Sequence, residues 1–587
     1  MKLPSMAAAI VSMSLLACGG DGGPGPGPEP LPEGPTLAIA GGDRQVDTVA
    51  HTLALPLTVV LKDTLDQPIA GATVHWSVVT GGGSVTPTSI TGSDGQATAT
   101  YTLGTIVTPN SVRAFSPVAV TPVFFTQNTI NDVPSQLIRS SGDSQYSELG
   151  VAGLNQYAVK VADQYGNGIG QMTVQWTPSA GNGSVSAATS VSNAAGIALT
   201  RHTVQAVGVN LVTVSPVGFT ASSVAFVSLG VLPATLMAEV PVPANYGAHD
   251  TFVRDGIAFH CAWNTGVLIL DVGNGMRGGT PGNPVEISRL ITSDNGVPGG
   301  AAVHNAWWFH NPVSNEKRYL FIGQEGVGFS GGNSSGDIHI VDVSDLANPV
   351  EVGFYTMPGA GAHNFWMDEA NQVLYAAFYN GGVVALDVSG TLTGNIASRE
   401  IARLRPGGAG NTSTWGVQLY NGSLYASDME SGFFQLKHVG LTLSVVGGGD
   451  NIPSGDGIGT DLWVANGYAY TGFSGKSKLM IWQLSPTGAP VLVGNIPAPA
   501  GAFMVSDVEV SPSGKLLMFS IEGGANDGYY FYNLSDPANP KFVSRYLVPT
   551  GLHTATFGTI NGRLYAFGAK DPPAPSMLIL DVTSLDF

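Results

Sequence analysis

Between residues 36 and 233, apolar and polar positions alternate over short runs, and each run ends in a cluster of Gly, Pro, Asn, Asp or Ser. A period of two buries one face of a run and leaves the other wet, so the runs predict strands joined by turns. The pattern occurs twice. In residues 36–131, Leu61-Lys62-Asp63 leads to Val74-His75-Trp76, then Gly81-Gly82-Gly83-Ser84-Val85, then Ser93-Asp94-Gly95. In residues 132–233, Val161-Ala162-Asp163 leads to Val174-Gln175-Trp176, then Gly181-Asn182-Gly183-Ser184-Val185, then Ala195-Gly196. Two tandem units of about 100 residues follow from this, each the size of a sandwich of two sheets. Trp76 and Trp176 are expected in their cores, with Asp63 and Asp163 as turn formers.

A second unit repeats from residue 248 to 587. Residues 337–353 (DIHIVDVSDLANPVEVG) and 529–544 (YYFYNLSDPANPKFVS) share a strand, a Ser-Asp-x-Ala-Asn-Pro turn and a second strand. Related strands recur at 267–272, 383–388, 432–436, 479–484 and 577–582. That makes seven copies of about 49 residues, and four short strands per copy is the pattern of a propeller. The seventh copy stops at Phe587 without a fourth strand. A strand is available at 236–242 (LMAEVPV), just before the first copy, and is expected to complete the last blade and seal the ring.

Composition narrows the alternatives. Charged residues are 11% of the chain against a typical share of about 25%, hydrophobic ones are 43%, and there are 79 Gly and 38 Pro without a Gly-X-Y period. Collagen, disorder and helical bundles are excluded, and 587 residues exceed a single core. The fold class is all-β: two tandem Ig-like β-sandwiches followed by a seven-bladed β-propeller. With 23 basic against 41 acidic residues, a nucleic-acid partner is disfavoured, because phosphate binding needs concentrated Lys and Arg.

The N-terminus carries an address. Met1-Lys2, an apolar stretch at 6–17 and Leu15-Leu16-Ala17 before Cys18 read as an export signal, with an apolar core too short to span a bilayer. Leu-Leu-Ala-Cys resembles the lipobox of bacterial lipoproteins, which implies cleavage before Cys18 and acylation of its thiol. Membrane attachment through that lipid and, since Gly19 replaces the Asp that retains such proteins at the inner membrane in enteric-type bacteria, outer-membrane or cell-surface placement are the expectations. Residues 18–35 form a Gly/Pro-rich tether after the 1–17 signal. Cys261 has no partner for an intrachain disulfide and is expected as a small buried hydrophobe.

Two further resemblances concern the body of the chain. Residues 36–131 and 132–233 are similar to the bacterial Ig-like domain of the invasin and intimin class, which implies a spacer. Residues 234–587 resemble the LVIVD-repeat β-propeller, with the Asn-Pro turns at 283–284, 348–349 and 539–540 as the most specific part.

Candidate chemistry comes from aligning the starts of the inner strands. One register position reads His249, His304, His363, Trp415, Thr460, Ser506 and His553; the next reads Asp250, Asn305, Asn364, Gly416, Asp461, Asp507 and Thr554. The histidines occupy four consecutive blades once the ring closes. Two readings follow. Each His anchors its own blade through a hydrogen bond, or His249, His304, His363 and His553 converge on a divalent metal or ligand at the channel mouth, since imidazole suits Zn, Cu, Ni or Fe. Asp250, Asn305, Asn364, Asp461 and Asp507 belong to the same candidate mouth. Trp307, Trp308, Trp366 and Trp415 are read as packing between blades before any role in stacking a sugar.

Two function classes remain. In one, a surface lipoprotein presents the propeller as a binding or adhesion head for a protein or polysaccharide on an Ig-like stalk. In the other, the His arc serves a metal-dependent extracellular hydrolase or lyase, with Asp461 or Asp507 as base.

Overall fold

The computed structural model describes residues 34–242, 247–293, 302–326, 334–452, 457–474, 478–486 and 488–587. The signal segment, Cys18 and nearly all of the tether lie outside the described residues. Among the described residues every regular element is a strand except two three-residue 3-10 turns, and no helix is long and apolar enough to cross a membrane.

Two successive sandwiches come first, and their sheets have the same order. In the first, Leu57–Lys62 lies between Thr36–Gly41 and Gln96–Ala99, opposite a five-stranded sheet centred on Pro109–Phe115. In the second, Tyr157–Ala162 lies between Gln136–Ser141 and Ile197–Thr200, opposite a sheet centred on Gly208–Val217. Alternation decides the faces: Leu57, Val59 and Leu61 are fully buried while Thr58 and Val60 are not. Trp76 and Trp176 fill the cores, and each indole N–H donates to a serine hydroxyl, Ser89 at 2.9 Å and Ser190 at 2.8 Å. Asp63 and Asp163 are turn formers. Asp63 Oδ1 accepts the Leu65 and Gln67 N–H groups at 2.9 Å, and Asp163 Oδ1 accepts those of Tyr165 and Asn167 at 2.9 and 3.0 Å.

Contacts join the units in series. Asn167 of the second sandwich donates to Thr105 O at 2.9 Å and accepts from Val107 N at 3.1 Å in the first. Toward the C-terminus, Ser544 Oγ donates to Glu148, and Tyr146 packs against Phe587 with ring centroids 5.3 Å apart. Tyr146, Val231 and Ala234 share a buried cluster with Leu516, Phe557 and Leu580.

The remaining chain makes seven antiparallel sheets of four strands in sequence order, one of them extended by the short strand Gly394–Asn395. Their inner strands are Asp250–Arg254, Val303–Asn311, Phe365–Asp368, Thr414–Tyr420, Gly459–Ala465, Met504–Val510 and Leu552–Ile560, for blades 1 to 7. Each packs against the next, and the last packs against the first, so the ring is closed. The closing strand expected at 236–242 is found at Thr235–Pro241, antiparallel to Ser576–Asp581. It supplies the fourth strand of blade 7 and removes an open sheet edge. The Asn-Pro turns hold themselves: Asp345 accepts from Ala347 N at 2.9 Å and from Asn348 Nδ2 at 2.8 Å, and Asp536 does the same with Ala538 and Asn539. Cys261 is fully buried.

Candidate functional site

Successive residues on a strand face opposite ways, so His304 and Asn305 should not both reach the channel. Bulges resolve this. In blade 2 the ladder runs Val303↔Gln324 then Asn305↔Gly323, leaving His304 as the extra residue. The same shift falls at Trp415, at Thr460-Asp461, at Ser506-Asp507 and at His553-Thr554. An extra residue re-aims its side chain at the cost of a ladder bond. In blades 1 and 3 the ladder has no such shift and the histidine lies just before the inner strand, so the two register positions become two layers lining the channel, one beneath the other.

The upper layer is a chain of imidazoles. Ring centroids are 4.0 Å apart from His553 to His249, 4.1 Å from His249 to His304, and 4.0 Å from His304 to His363. Trp263 stacks on His249 at 4.7 Å, and Trp415 lies 4.4 Å from His363. The own-blade anchoring reading does not describe these side chains. His363 Nδ1 donates to Trp415 O on the next blade at 2.7 Å, and His553 Nδ1 donates to Glu522 of blade 6 at 2.9 Å. The Nδ1 atoms of His249 and His304 are buried with no hydrogen-bond partner.

Three carboxylates that sequence reasoning missed complete this layer. Glu325 follows the second strand of blade 2, Glu522 ends that of blade 6, and Asp571 follows that of blade 7. Antiparallel pairing puts the end of a second strand beside the start of an inner one, as in Met504↔Glu522. Repeat register at that position was the signal that would have found them. Glu325 lies 3.5 Å from His249 Nε2 and 3.7 Å from His304 Nε2, and it accepts the Tyr379 hydroxyl. Ligand atoms at about 2.1 Å from one tetrahedral ion sit roughly 3.4 Å from each other, so these three nitrogen and oxygen atoms have metal-ligand spacing. Glu522, His553 and Asp571 form a second such group.

Electrostatics keep the imidazoles ready for an ion. Burial, with added repulsion from neighbouring histidines, holds His249 and His304 well below the usual imidazole range. Burial takes His363 down to about 3. All three are neutral near pH 7, and no proton competes for their lone pairs. Burial also pulls His553 down, but the Glu522 carboxylate outweighs it and raises the ring to about 9. Burial raises Glu325.

The lower layer holds Asp250, Asn305, Asn364, Asp461, Asp507 and Thr554, and lines a cavity that none of the four histidines touches. Asn364 Nδ2 donates across the channel to Asp461 Oδ1 at 2.9 Å, and the Asp461 and Asp507 carboxyls are hydrogen-bonded to each other. Burial pushes Asp250 up to about 7, Asp461 up to about 6, and Asp507 well above the carboxylate range. A Cβ at Gly416 would meet Asp461 Oδ1 at 2.5 Å, so a larger residue there would displace that carboxyl. The single candidate mouth is thus two sites.

The tryptophans also divide. Trp308 is a core residue, 5% exposed, whose indole N–H donates to Lys317 O at 2.9 Å. Trp415 lies against the histidines. Trp307 and Trp366 are half-buried, pack between blades as read from the sequence, and also line the lower cavity.

Residues 332–357 and 456–497 match the LVIVD repeat. Both matched segments fall within the seven-sheet ring. A similar solved structure is the β-propeller domain of Cps50 (Swd1) from Myceliophteria thermophila, 11% identical, with a TM-score of 0.42, covering 60% of this chain and 100% of that one. No curated protein matches the chain.

Proposed function

We propose that the protein is an exported lipoprotein, held at the outer membrane or cell surface through Cys18, whose Ig-like stalk carries a metal-binding propeller head. The ion is a divalent transition metal. His249, His304 and Glu325 are its innermost ligands, His363 completes the set, and the His553–Glu522 pair borders it. One observation carries this reading: four buried or half-buried imidazoles in contact around one end of the channel, two of which direct Nε2 at one oxygen of the Glu325 carboxylate. Lone pairs facing one another in this way lose hydration on folding, and an ion would give the His249 and His304 Nε2 atoms a shared partner.

The hydrolase reading draws less support. Asp461 and Asp507 were its candidate bases, and both lie in the lower layer, engaged with each other and with Asn364. The binding reading is tested by titrating the metal-free mature chain with Zn²⁺ while following its melting temperature. A saturable rise is expected, equivalent to about 2.7 kcal/mol at a free concentration one hundred times the dissociation constant. His304→Ala should remove it. A rise that persists in His304→Ala would place the ion elsewhere.

A further inference from the structure

The inner strands carry a third channel-facing register that the histidine arc does not use. Two residues beyond the lower layer come Phe252, Trp307, Trp366, Trp463 and Glu509, which open the same cavity of about 250 Å³. The aromatic rings form a wall: centroids are 5.2 Å apart from Phe252 to Trp307, 5.5 Å from Trp307 to Trp366, and 5.8 Å from Trp366 to Trp463. All four side chains are half-buried, so the wall is open to a solute. Asp250, Asp461 and Asp507 form the floor.

Charge defines what fits. The titratable side chains lining the cavity are all carboxylic acids, and no Lys, Arg or His lines it. Unlike the upper layer, these acids do not bring three ligand atoms together, so among the described residues they make no chelating group for a bare metal ion. Asn305, 4% exposed, lines the cavity with its side-chain oxygen unpartnered, and the Trp307 indole N–H is buried without a partner as well. An indole wall attracts a diffuse cation through its ring quadrupoles, and the floor adds carboxyl oxygens as acceptors.

We propose that this cup binds a small organic ammonium ion, its alkyl groups against Trp307, Trp366 and Trp463 and its charge over the Asp250, Asp461 and Asp507 carboxyls. The net charge of −18 on the whole chain favours the approach of such ligands.

Choline and its neutral isostere 3,3-dimethyl-1-butanol are the probes, with glucose as a third. Each is titrated into the mature chain in the presence of a chelator, so that the histidine arc is silent, and tryptophan fluorescence and heat are recorded. Choline should bind with a fluorescence change, and the isostere at least about tenfold more weakly, because it fills the same space without the charge. Trp366→Leu, Trp463→Leu and Asp461→Asn should each weaken choline by about tenfold while the protein still melts cooperatively. Equal affinity for choline and the isostere would overturn the proposal, since shape alone would then account for binding. Glucose binding without choline binding would overturn it in favour of a sugar, and no binding of any probe would overturn it outright. The comparison of probes on the parent chain stands even if a variant fails to fold.

Discussion

His249 and His304 come from neighbouring blades, their ring centroids lie 4.1 Å apart, and both direct Nε2 at the same carboxylate oxygen of Glu325. Fifty-five residues of chain separate the two rings, and the packing of blade 1 on blade 2 keeps them in contact, while closure of the ring brings His553 beside His249. Damage to the ring should therefore reach the site.

Ring closure is testable by truncation. Deleting residues 1–233 keeps the strand Thr235–Pro241, whereas deleting 1–244 removes it and leaves Ser576–Asp581 with an unpaired edge. Both truncations lose the Glu148–Ser544 contact, so the difference between them isolates the strand. The longer deletion should melt roughly 5–10 °C lower or aggregate. Equal melting temperatures would refute N-terminal closure.

The lower layer makes a prediction in pH. Asp461 has a folded pKa of about 6, raised by burial above its ordinary value of 3.8. A raised acid binds more protons folded than unfolded, so its contribution to stability is complete below about pH 4 and is lost as pH rises through about 6. Asp461→Asn keeps an acceptor for Asn364 but cannot ionise. The parent should therefore lose roughly 1–3 kcal/mol relative to the variant between pH 4 and pH 7.5, read from paired denaturant melts. A constant difference across that range would show that Asp461 ionises as freely folded as unfolded.

Anchoring is separable from folding. Cys18→Ser should leave the chain exported and folded but extractable without detergent, since the acyl chains are the single membrane contact in this account. Retention in the membrane fraction after a salt wash would require another anchor.

Much of the architecture was readable because strand period, turn chemistry and repeat length agree with one another. Trp76, Trp176 and the closing strand fall where alternation and copy number put them. The site was legible only in part, for three physical reasons. Two consecutive residues reach the channel because of bulges, which leave no mark in the sequence; His304 and Asn305 therefore looked like neighbours at one mouth and are in separate layers. Glu325, Glu522 and Asp571 come from a different strand of each blade, and no motif links them to the histidines. The aromatic wall was within reach of the same alignment, since Trp307 and Trp366 lie two residues beyond Asn305 and Asn364. Strand parity then separates Trp307 from Trp308, one lining the channel and the other in a blade core.

The metal content of the purified mature chain bears most directly on the central claim. After incubation with excess Zn²⁺ and removal of free ion, the parent should retain about one ion per chain, and His249→Ala or His304→Ala almost none. A chelator should lower the parent's melting temperature and leave both variants unchanged. A parent that retains no ion and ignores the chelator would contradict the account. So would His249→Ala and His304→Ala stability losses of about 1–3 kcal/mol that simply add, as expected of buried hydrogen bonds in separate blades.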